Sequence, residues 1–189
     1  MKESVRTFIA ITIPDQIRKM ISDLQIVLKT YDVNVKWVRT ESIHITLKFL
    51  GDVQKEKIND ISQAVENAAS GIKPFEISVD KTGVFPGKQR PRVLWVGVEK
   101  GSEKLAELAG RIDVNLQTLG FEKEQRRYSG HLTIGRVRSP HGIQHMIDKM
   151  MTSPINEEVI PIKDIIVMKS DLQKTGAVYT PLHTIKLQG

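Results

Sequence analysis

Two four-residue motifs of the same pattern carry the side chains of this chain that are best suited to chemistry. The first is His44-Ile45-Thr46-Leu47 and the second is His131-Leu132-Thr133-Ile134. Side chains alternate between the two faces of a β-strand, so each motif predicts a strand with histidine and threonine on one face. Because imidazole titrates near neutral pH, with an ordinary pKa of about 6.5, two histidines can serve one reaction as acid and base. The threonine hydroxyls can donate hydrogen bonds to phosphate oxygens as negative charge develops.

The first motif belongs to a predicted strand over residues 43–50, closed by Gly51-Asp52. Strict alternation predicts one face for the core and an opposite, polar face that carries the chemistry. The expected core face is Ile43, Ile45, Leu47 and Phe49, and the expected polar face is His44, Thr46 and Lys48.

Arg136 follows the second histidine by five residues, so strict alternation places it on the opposite face from His131. A β-bulge or a sharp twist at Gly135 would return Arg136 to the face of His131. With either irregularity, Arg136 is a candidate contact for a phosphate or a base. Lys48 and the basic residues Lys88, Arg90 and Arg92 are further candidates for contacts with an anionic partner such as nucleic acid.

The order strand, helix, His/Thr strand, helix, strand occurs twice along the chain. Ile9, in the first predicted strand, precedes His44 by 35 residues, and Trp95 precedes His131 by 36 residues. This repetition predicts a duplication with two similar lobes, each with two helices and each presenting its His/Thr face to a shared central cleft. The expected halves are residues 1–86 and 91–189 of a single bilobal domain, joined by a basic linker at 83–91.

Periodicity and turn residues predict the individual elements. Helices are expected from Asp15 to about Leu28 and over 54–69, 102–119 and 140–151. Besides the His/Thr strands at 43–50 and 127–137, strands are expected over 5–13, 75–84 and 92–98. A terminal hairpin of 162–170 and 177–187 is expected around Lys174-Thr175-Gly176.

Composition narrows the class of protein. The chain has 189 residues, of which 40% are hydrophobic and 26% are charged, as in ordinary globular proteins. It has no cysteine, which excludes disulfides and thiolate metal sites. The N-terminal residues lack the pattern of a signal peptide, so a soluble cytoplasmic protein is expected. A net charge of +6 is compatible with an anionic partner such as nucleic acid.

The remaining histidines and the tryptophans are interpreted as structural. His141 and His145 have metal-ligand spacing on a predicted helix, but no third ligand accompanies them. His183 has no companion motif, and Trp37 and Trp95 lie in apolar strands and are expected in the core.

The paired motifs resemble those of the 2H phosphoesterase superfamily. Nearly the whole chain is similar to the bacterial and archaeal RNA 2′,3′-cyclic phosphodiesterases, also called 2′-5′ RNA ligases. The similar segments are residues 6–11, 44–51, 84–86, 93–98 and 131–136. One departure is Gly130, where many relatives have proline, and glycine loosens the backbone there.

The resemblance implies a bilobal α+β fold, with an antiparallel sheet and two helices in each lobe around a central cleft. It also implies hydrolysis of an RNA 2′,3′-cyclic phosphate to a 2′-phosphate without metal or other cofactor. It assigns His44 as proton donor and His131 as proton acceptor, with Thr46, Thr133 and Arg136 binding the phosphate. The implied partner is RNA with a 2′,3′-cyclic phosphate end. A monomer without membrane contact or protein partner is expected.

Three alternatives stay open at this level. The same motifs suit a related phosphodiesterase acting on 2′-5′ oligonucleotides or small cyclic nucleotides. A non-catalytic protein that binds RNA ends is a second alternative, although both histidines are present. A metallohydrolase is the third, and chelation distinguishes it.

Overall fold

The computed structural model describes residues 3–173 and 176–189, so Lys174 and Thr175 of the expected hairpin turn lie outside the described residues. The described residues form nine strands and four α-helices. The strands are β1 (Ser4–Thr12), β2 (Val35–Trp37), β3 (His44–Gln54), β4 (Phe75–Phe85), β5 (Val93–Val98), β6 (His131–Val137), β7 (Glu158–Ile162), β8 (Asp164–Gln173) and β9 (Gly176–Lys186). The helices are α1 (Asp15–Leu28), α2 (Ile58–Ala69), α3 (Ser102–Gln117) and α4 (Gln144–Thr152).

All strand pairs are antiparallel and form one continuous path in the order β7-β4-β5-β6-β3-β1-β8-β9, with β2 beside β6. Two groups of strands meet where β6 pairs with β3. Each group takes strands from both ends of the chain: β4 joins β5 and β7, whereas β8 and β9 join β1. The α+β duplication is confirmed, and its two halves exchange strands across the cleft.

The helices cover one face of the sheet because each carries an apolar stripe at helical spacing. In α1 the stripe includes Ile17, Ile21 and Leu28, all fully buried, and in α3 it includes Leu108 and Ile112. Alternate residues of the strands complete this large core. None of the four described helices is both long and apolar enough to cross a lipid bilayer.

A second, smaller apolar cluster lies outside this core. Phe8 and Ala10 of β1 pack there with Ile166 and Met168 of β8, and Tyr179 of β9 packs against them. Their neighbours in sequence, such as Ile9 and Val167, belong to the large core. The smaller cluster therefore covers the opposite face of the sheet, which is the face of the His/Thr motifs.

Several element boundaries differ from those expected. Residues 83–85 of the predicted linker complete β4, and the rest of it connects β4 to β5 as a hairpin. The first His/Thr strand continues through Gly51-Asp52 to Gln54. The expected strand at 127–137 begins only at His131, and helix α4 begins only at Gln144.

Strand β7 is not among the predicted elements. It contains Pro161, which lacks a backbone N–H and usually indicates a loop. The strand accepts it because β7 lies at one edge of the sheet, where one side has no neighbour to receive hydrogen bonds.

Candidate active site

The two His/Thr motifs lie side by side where the two strand groups meet. Strands β3 and β6 are antiparallel, with Ile45 opposite Leu132. In this register His44 lies beside Thr133, and Thr46 lies beside His131. The two histidines are then diagonal neighbours on one face, with backbones about 7–8 Å apart. This spacing lets two imidazoles approach one small group from opposite sides.

Both histidines are held by the same local hydrogen bond. Nδ1 of His44 donates to the carbonyl oxygen of Ser42 at 2.9 Å. Nδ1 of His131 donates to the carbonyl oxygen of Ser129 at 2.8 Å. Because a carbonyl oxygen can only accept, the hydrogen of each neutral ring is on Nδ1, and Nε2 carries the lone pair. Each Nε2 is thus the atom that can take up or release a proton in the cleft.

Burial and aromatic neighbours set the electrostatics of the two imidazoles. Burial lowers the pKa of His44 and of His131 below the ordinary value, and the positive charge of Arg136 lowers both further. The rings of Phe8 and Tyr179 lie 4.8 Å and 5.0 Å from the ring of His44. These surroundings therefore favour neutral histidines at pH 7.

Arg136 lies on the same face as His131 because β6 contains a bulge. Leu94 of β5 is opposite Gly135 and Trp95 is opposite Thr133, which leaves Ile134 as the extra residue. The face of the strand reverses after this residue, so the exposed side chain of Arg136 follows Thr133 on the cleft side. The irregularity considered at Gly135 is thus a bulge one residue earlier, with Ile134 as the inserted residue.

Gln25 holds this bulge from the core side. Its Nε2 donates to the carbonyl oxygens of Ile134 at 2.9 Å and Val38 at 2.8 Å. Gln25 is a buried polar residue of α1, and these bonds satisfy its amide N–H groups. The helix therefore stabilises the backbone irregularity that orients Arg136.

The first motif has a matching bulge, and it reverses two of the expected positions. Ile9 of β1 is opposite Lys48 and Ala10 is opposite Thr46, which leaves Leu47 as the extra residue. Beyond Leu47, Lys48 faces the helices and Phe49 faces the cleft. The prediction from strict alternation is wrong for these two residues, because a bulge changes which side chains share a face.

Lys48 forms an ion pair instead of a substrate contact. Its Nζ binds the carboxylate of Asp113 on α3 and donates to the carbonyl oxygen of Glu122 at 2.8 Å. The two charged side chains are only 10% and 12% exposed. Lys48 is therefore part of the contact between β3 and α3.

Tyr128 connects the two motifs through the backbone. Its hydroxyl donates to the carbonyl oxygen of Thr46 at 3.0 Å, and burial raises its pKa. The residue lies three positions before His131, in a segment without regular structure. No sequence pattern indicates this contact, because it depends on how β3 and β6 meet.

Four other residues considered in the sequence analysis make contacts that do not involve the two histidines. Lys88 pairs with Asp148 at 3.1 Å, and His183 pairs with Glu66 at 2.9 Å. Trp37 packs against the large core as expected. Trp95 does not: its ring lies 5.1 Å from Phe85, on the cleft face beside Thr133.

Gly130 is more restricted than its lack of a side chain suggests. A Cβ atom at this position would lie 2.5 Å from Cδ2 of Leu105 and 3.3 Å from Cγ2 of Val98. Its carbonyl oxygen also accepts a hydrogen bond from the backbone N–H of Val98 at 3.2 Å. Close packing therefore restrains the backbone just before His131.

Potential metal ligands do not cluster in the part of the chain that the structure describes: no group of three or more histidine or acidic side chains has suitable geometry. His141 precedes α4, so it does not share a helical face with His145. The side chains gathered at the motifs are imidazoles, hydroxyls and one guanidinium. This set is suited to proton transfer and to binding an anion.

Comparison with known proteins agrees with this geometry. The LigT like Phosphoesterase family model matches the chain twice, over residues 11–95 and 96–179. An RNA 2′,3′-cyclic phosphodiesterase from Methanothermobacter thermautotrophicus is 35% identical over 97% of this chain and 99% of its own. A protein of the same name from Methanocaldococcus jannaschii is 36% identical over 93% of this chain and 96% of its own.

The fold is also found among solved structures. Escherichia coli LigT, crystallised with 3′-AMP, superposes with a TM-score of 0.82 at 23% identity, covering 99% of this chain and 100% of LigT. The twofold match of the family model corresponds to the two His/Thr motifs, one in each matched segment. The chain belongs to the LigT like phosphoesterase family.

Proposed function

We propose that this chain hydrolyses the 2′,3′-cyclic phosphate at the 3′ end of RNA to a 2′-phosphate, with His44 and His131 as acid and base. The observation that carries the proposal is the diagonal pair of histidines, each with Nδ1 bound to a backbone carbonyl and Nε2 left for the substrate. The names of the relatives support the substrate class, since both are RNA 2′,3′-cyclic phosphodiesterases.

The reaction needs one proton removed and one proton supplied. Nε2 of His131 takes a proton from water as the water oxygen attacks phosphorus. The bond from phosphorus to the 3′ oxygen breaks, and Nε2 of His44 protonates that oxygen. One water is consumed, and the phosphate stays on the 2′ oxygen. A 5′-hydroxyl in place of water would give a 2′-5′ linkage by the same steps, without ATP.

The hydroxyls and the guanidinium act on the phosphate itself. Thr46 and Thr133 flank the histidines and donate to non-bridging oxygens, where charge grows in the five-coordinate transition state. Arg136, whose positive charge is close enough to lower the pKa of both histidines, attracts the negatively charged phosphate to the same place. These donors are useful because they are already oriented before the reaction begins.

The lowered pKa values of His44 and His131 fit this division of roles. A phosphodiester carries a negative charge, which favours the protonated form of a nearby imidazole. Substrate binding therefore raises the pKa of His44 and provides it with the proton that it later donates. His131 stays neutral as the base when the pair holds a single proton.

The experiment is hydrolysis of a short RNA that ends in a 2′,3′-cyclic phosphate, with the product analysed by phosphorus NMR. The expected product is the 2′-phosphate alone. A 3′-phosphate would contradict the assigned leaving group. Activity restricted to 2′-5′ oligonucleotides or to mononucleotide cyclic phosphates would favour the related phosphodiesterase instead.

A further inference from the structure

A row of polar side chains crosses β1, β8 and β9 on the cleft face of the sheet. In the β1–β8 register, Arg6 lies beside Ser170, one position beyond the last directly paired residues. Ser170 is opposite Tyr179 in the β8–β9 register. Arg6 is two residues before Phe8, and residues two apart on a strand share a face at a spacing of about 7 Å. The row therefore borders the apolar cluster that contacts His44.

The exposed side chain of Arg6 is opposite an aspartate but does not pair with it. Asp52 is the cross-strand partner of Arg6 on β3. No ion pair within 4.0 Å joins Arg6 to Asp52, or to any other acidic side chain of residues 3–173 and 176–189. Arg6 thus presents an uncompensated positive charge on the cleft face, where an anion can bind it.

Tyr179 lies within reach of this charge and has a hydroxyl without a partner among the described residues. Its ring packs edge-on against the rings of Phe8 and His44, each at 5.0 Å. The hydroxyl is not among the buried polar atoms that lack partners, so it reaches solvent. Burial raises the pKa of Tyr179, and the charges of Arg136 and Arg6 only partly offset this rise. The phenol therefore keeps its proton at neutral pH and can donate it in a hydrogen bond.

The two groups lie next to the place where the cyclic phosphate would bind. The ring of Phe8 is 4.8 Å from that of His44, and Arg6 is the next residue of β1 on the same face. In RNA, the ribose that carries a terminal cyclic phosphate is joined through its 5′ oxygen to the phosphodiester of the preceding nucleotide. That phosphodiester is the nearest further anion, and arginine forms strong charge-assisted hydrogen bonds to phosphate oxygens.

Building on the proposed function, we propose that Arg6 and Tyr179 bind the phosphodiester that links the terminal nucleotide to the nucleotide before it. Arg6 supplies the charge, and the hydroxyl of Tyr179 donates to a second oxygen of the same group. The contact makes an RNA end a better substrate than a cyclic mononucleotide with a free 5′-hydroxyl, which has no such phosphate.

The test compares two dinucleotides that both end in adenosine 2′,3′-cyclic phosphate and differ only in the link between the nucleosides. One has the natural, charged phosphodiester, and the other has an uncharged methylphosphonate. Arg6→Ala should raise KM for the charged dinucleotide about 10-fold, the effect of losing one hydrogen bond to a charged group. Tyr179→Phe should raise it about fivefold, the effect of losing one ordinary hydrogen bond. Both variants should change KM for the uncharged dinucleotide by less than about twofold.

The salt dependence of kcat/KM separates a phosphate contact from a structural role. Each contact to a single-strand phosphate contributes about 0.7 to the slope of log affinity against log salt concentration. Arg6→Ala should therefore reduce the slope for the charged dinucleotide by about 0.7, and Arg6→Lys should restore it because the charge is retained. Lys104→Ala is the matched control, since it removes the same charge from an exposed position on α3. It should leave the slope and both KM values unchanged.

Three results would overturn the assignment. Equal effects of Arg6→Ala on both dinucleotides would show that Arg6 acts on the fold or on the cyclic phosphate. If the unchanged chain opened both dinucleotides and Arg6→Ala affected neither, the proposed function would stand and the phosphodiester contact alone would fail. If the unchanged chain opened neither cyclic phosphate, the proposed function would fail, and the contact would fail with it.

Discussion

The hydroxyl of Tyr128 donates a hydrogen bond to the backbone carbonyl of Thr46 across 3.0 Å, linking the segment before the second histidine to the strand of the first. Strands β3 and β6 share one directly paired position, Ile45 opposite Leu132. The distance between the two histidines therefore depends on few contacts, and this bond is one of them.

Replacing Tyr128 with phenylalanine removes only this hydroxyl. We expect the free energy of unfolding to fall by about 1 kcal/mol, the usual net value of one hydrogen bond. We also expect kcat to fall more than KM rises, because misplaced catalytic groups slow the reaction even when substrate still binds. Denaturant unfolding measures the change in stability, and steady-state kinetics measure kcat and KM. Tyr31→Phe is the control, since Tyr31 lies against His145 outside the site; equal effects of the two variants would refute the positioning role.

Removing Arg136 should change the pH dependence of activity. Its positive charge disfavours protonation and lowers the pKa of both histidines, so Arg136→Ala raises both pKa values. The base must be neutral to accept a proton, so the acid limb of kcat/KM should move to higher pH. KM should also rise. Arg138→Ala should change neither the acid limb nor KM. Equal effects of the two variants would show that Arg136 acts only through general charge.

Lys48 should matter for stability and not for substrate binding. Lys48→Met leaves Asp113 without its partner, and breaking a buried pair in this way costs about 3 kcal/mol or more. Lys55→Met is the control, because Lys55 and its partner Glu3 are 62% and 70% exposed, and exposed pairs contribute at most about 1 kcal/mol. Unfolding curves test the difference. A raised KM with unchanged stability in Lys48→Met would instead restore Lys48 as a phosphate contact.

Activity should survive chelation. The groups assembled at the motifs are histidines, threonines and an arginine, and neither motif has a carboxylate beside it in sequence. Incubation with excess EDTA followed by dialysis should leave kcat/KM within about twofold, since the proposed proton transfers use imidazoles alone. Loss of activity that zinc or magnesium restores would support the metallohydrolase alternative.

The sequence was sufficient to predict the parts of the site that depend on local pattern. The two His/Thr motifs, the duplication and most helices follow from the sequence pattern, and Gly135 indicates an irregular strand just before Arg136. Comparing the repeats at the same offset would also have paired Phe49 with Arg136, since both lie five residues after a histidine.

Contacts between segments that are far apart in the sequence could not be predicted from local pattern. The bulge at Leu47 is defined by the partner strand β1, so the faces of Lys48 and Phe49 were exchanged in the prediction. The hydrogen bond from Tyr128 to Thr46 connects the two lobes where β3 and β6 meet. The exchange of strands between the two halves could not be predicted either. Alternation of polar and apolar residues predicts that a segment is a strand but not which strand it pairs with.

The most direct test of the central claim is the rate at which His44→Ala and His131→Ala open a terminal RNA 2′,3′-cyclic phosphate. Each variant should be slower than the unchanged chain by about 10²- to 10⁴-fold, the contribution of a placed proton-transfer group. The double variant should be little slower than either single variant, because the pair acts as a unit. A near-normal rate in either single variant would contradict the two-histidine account.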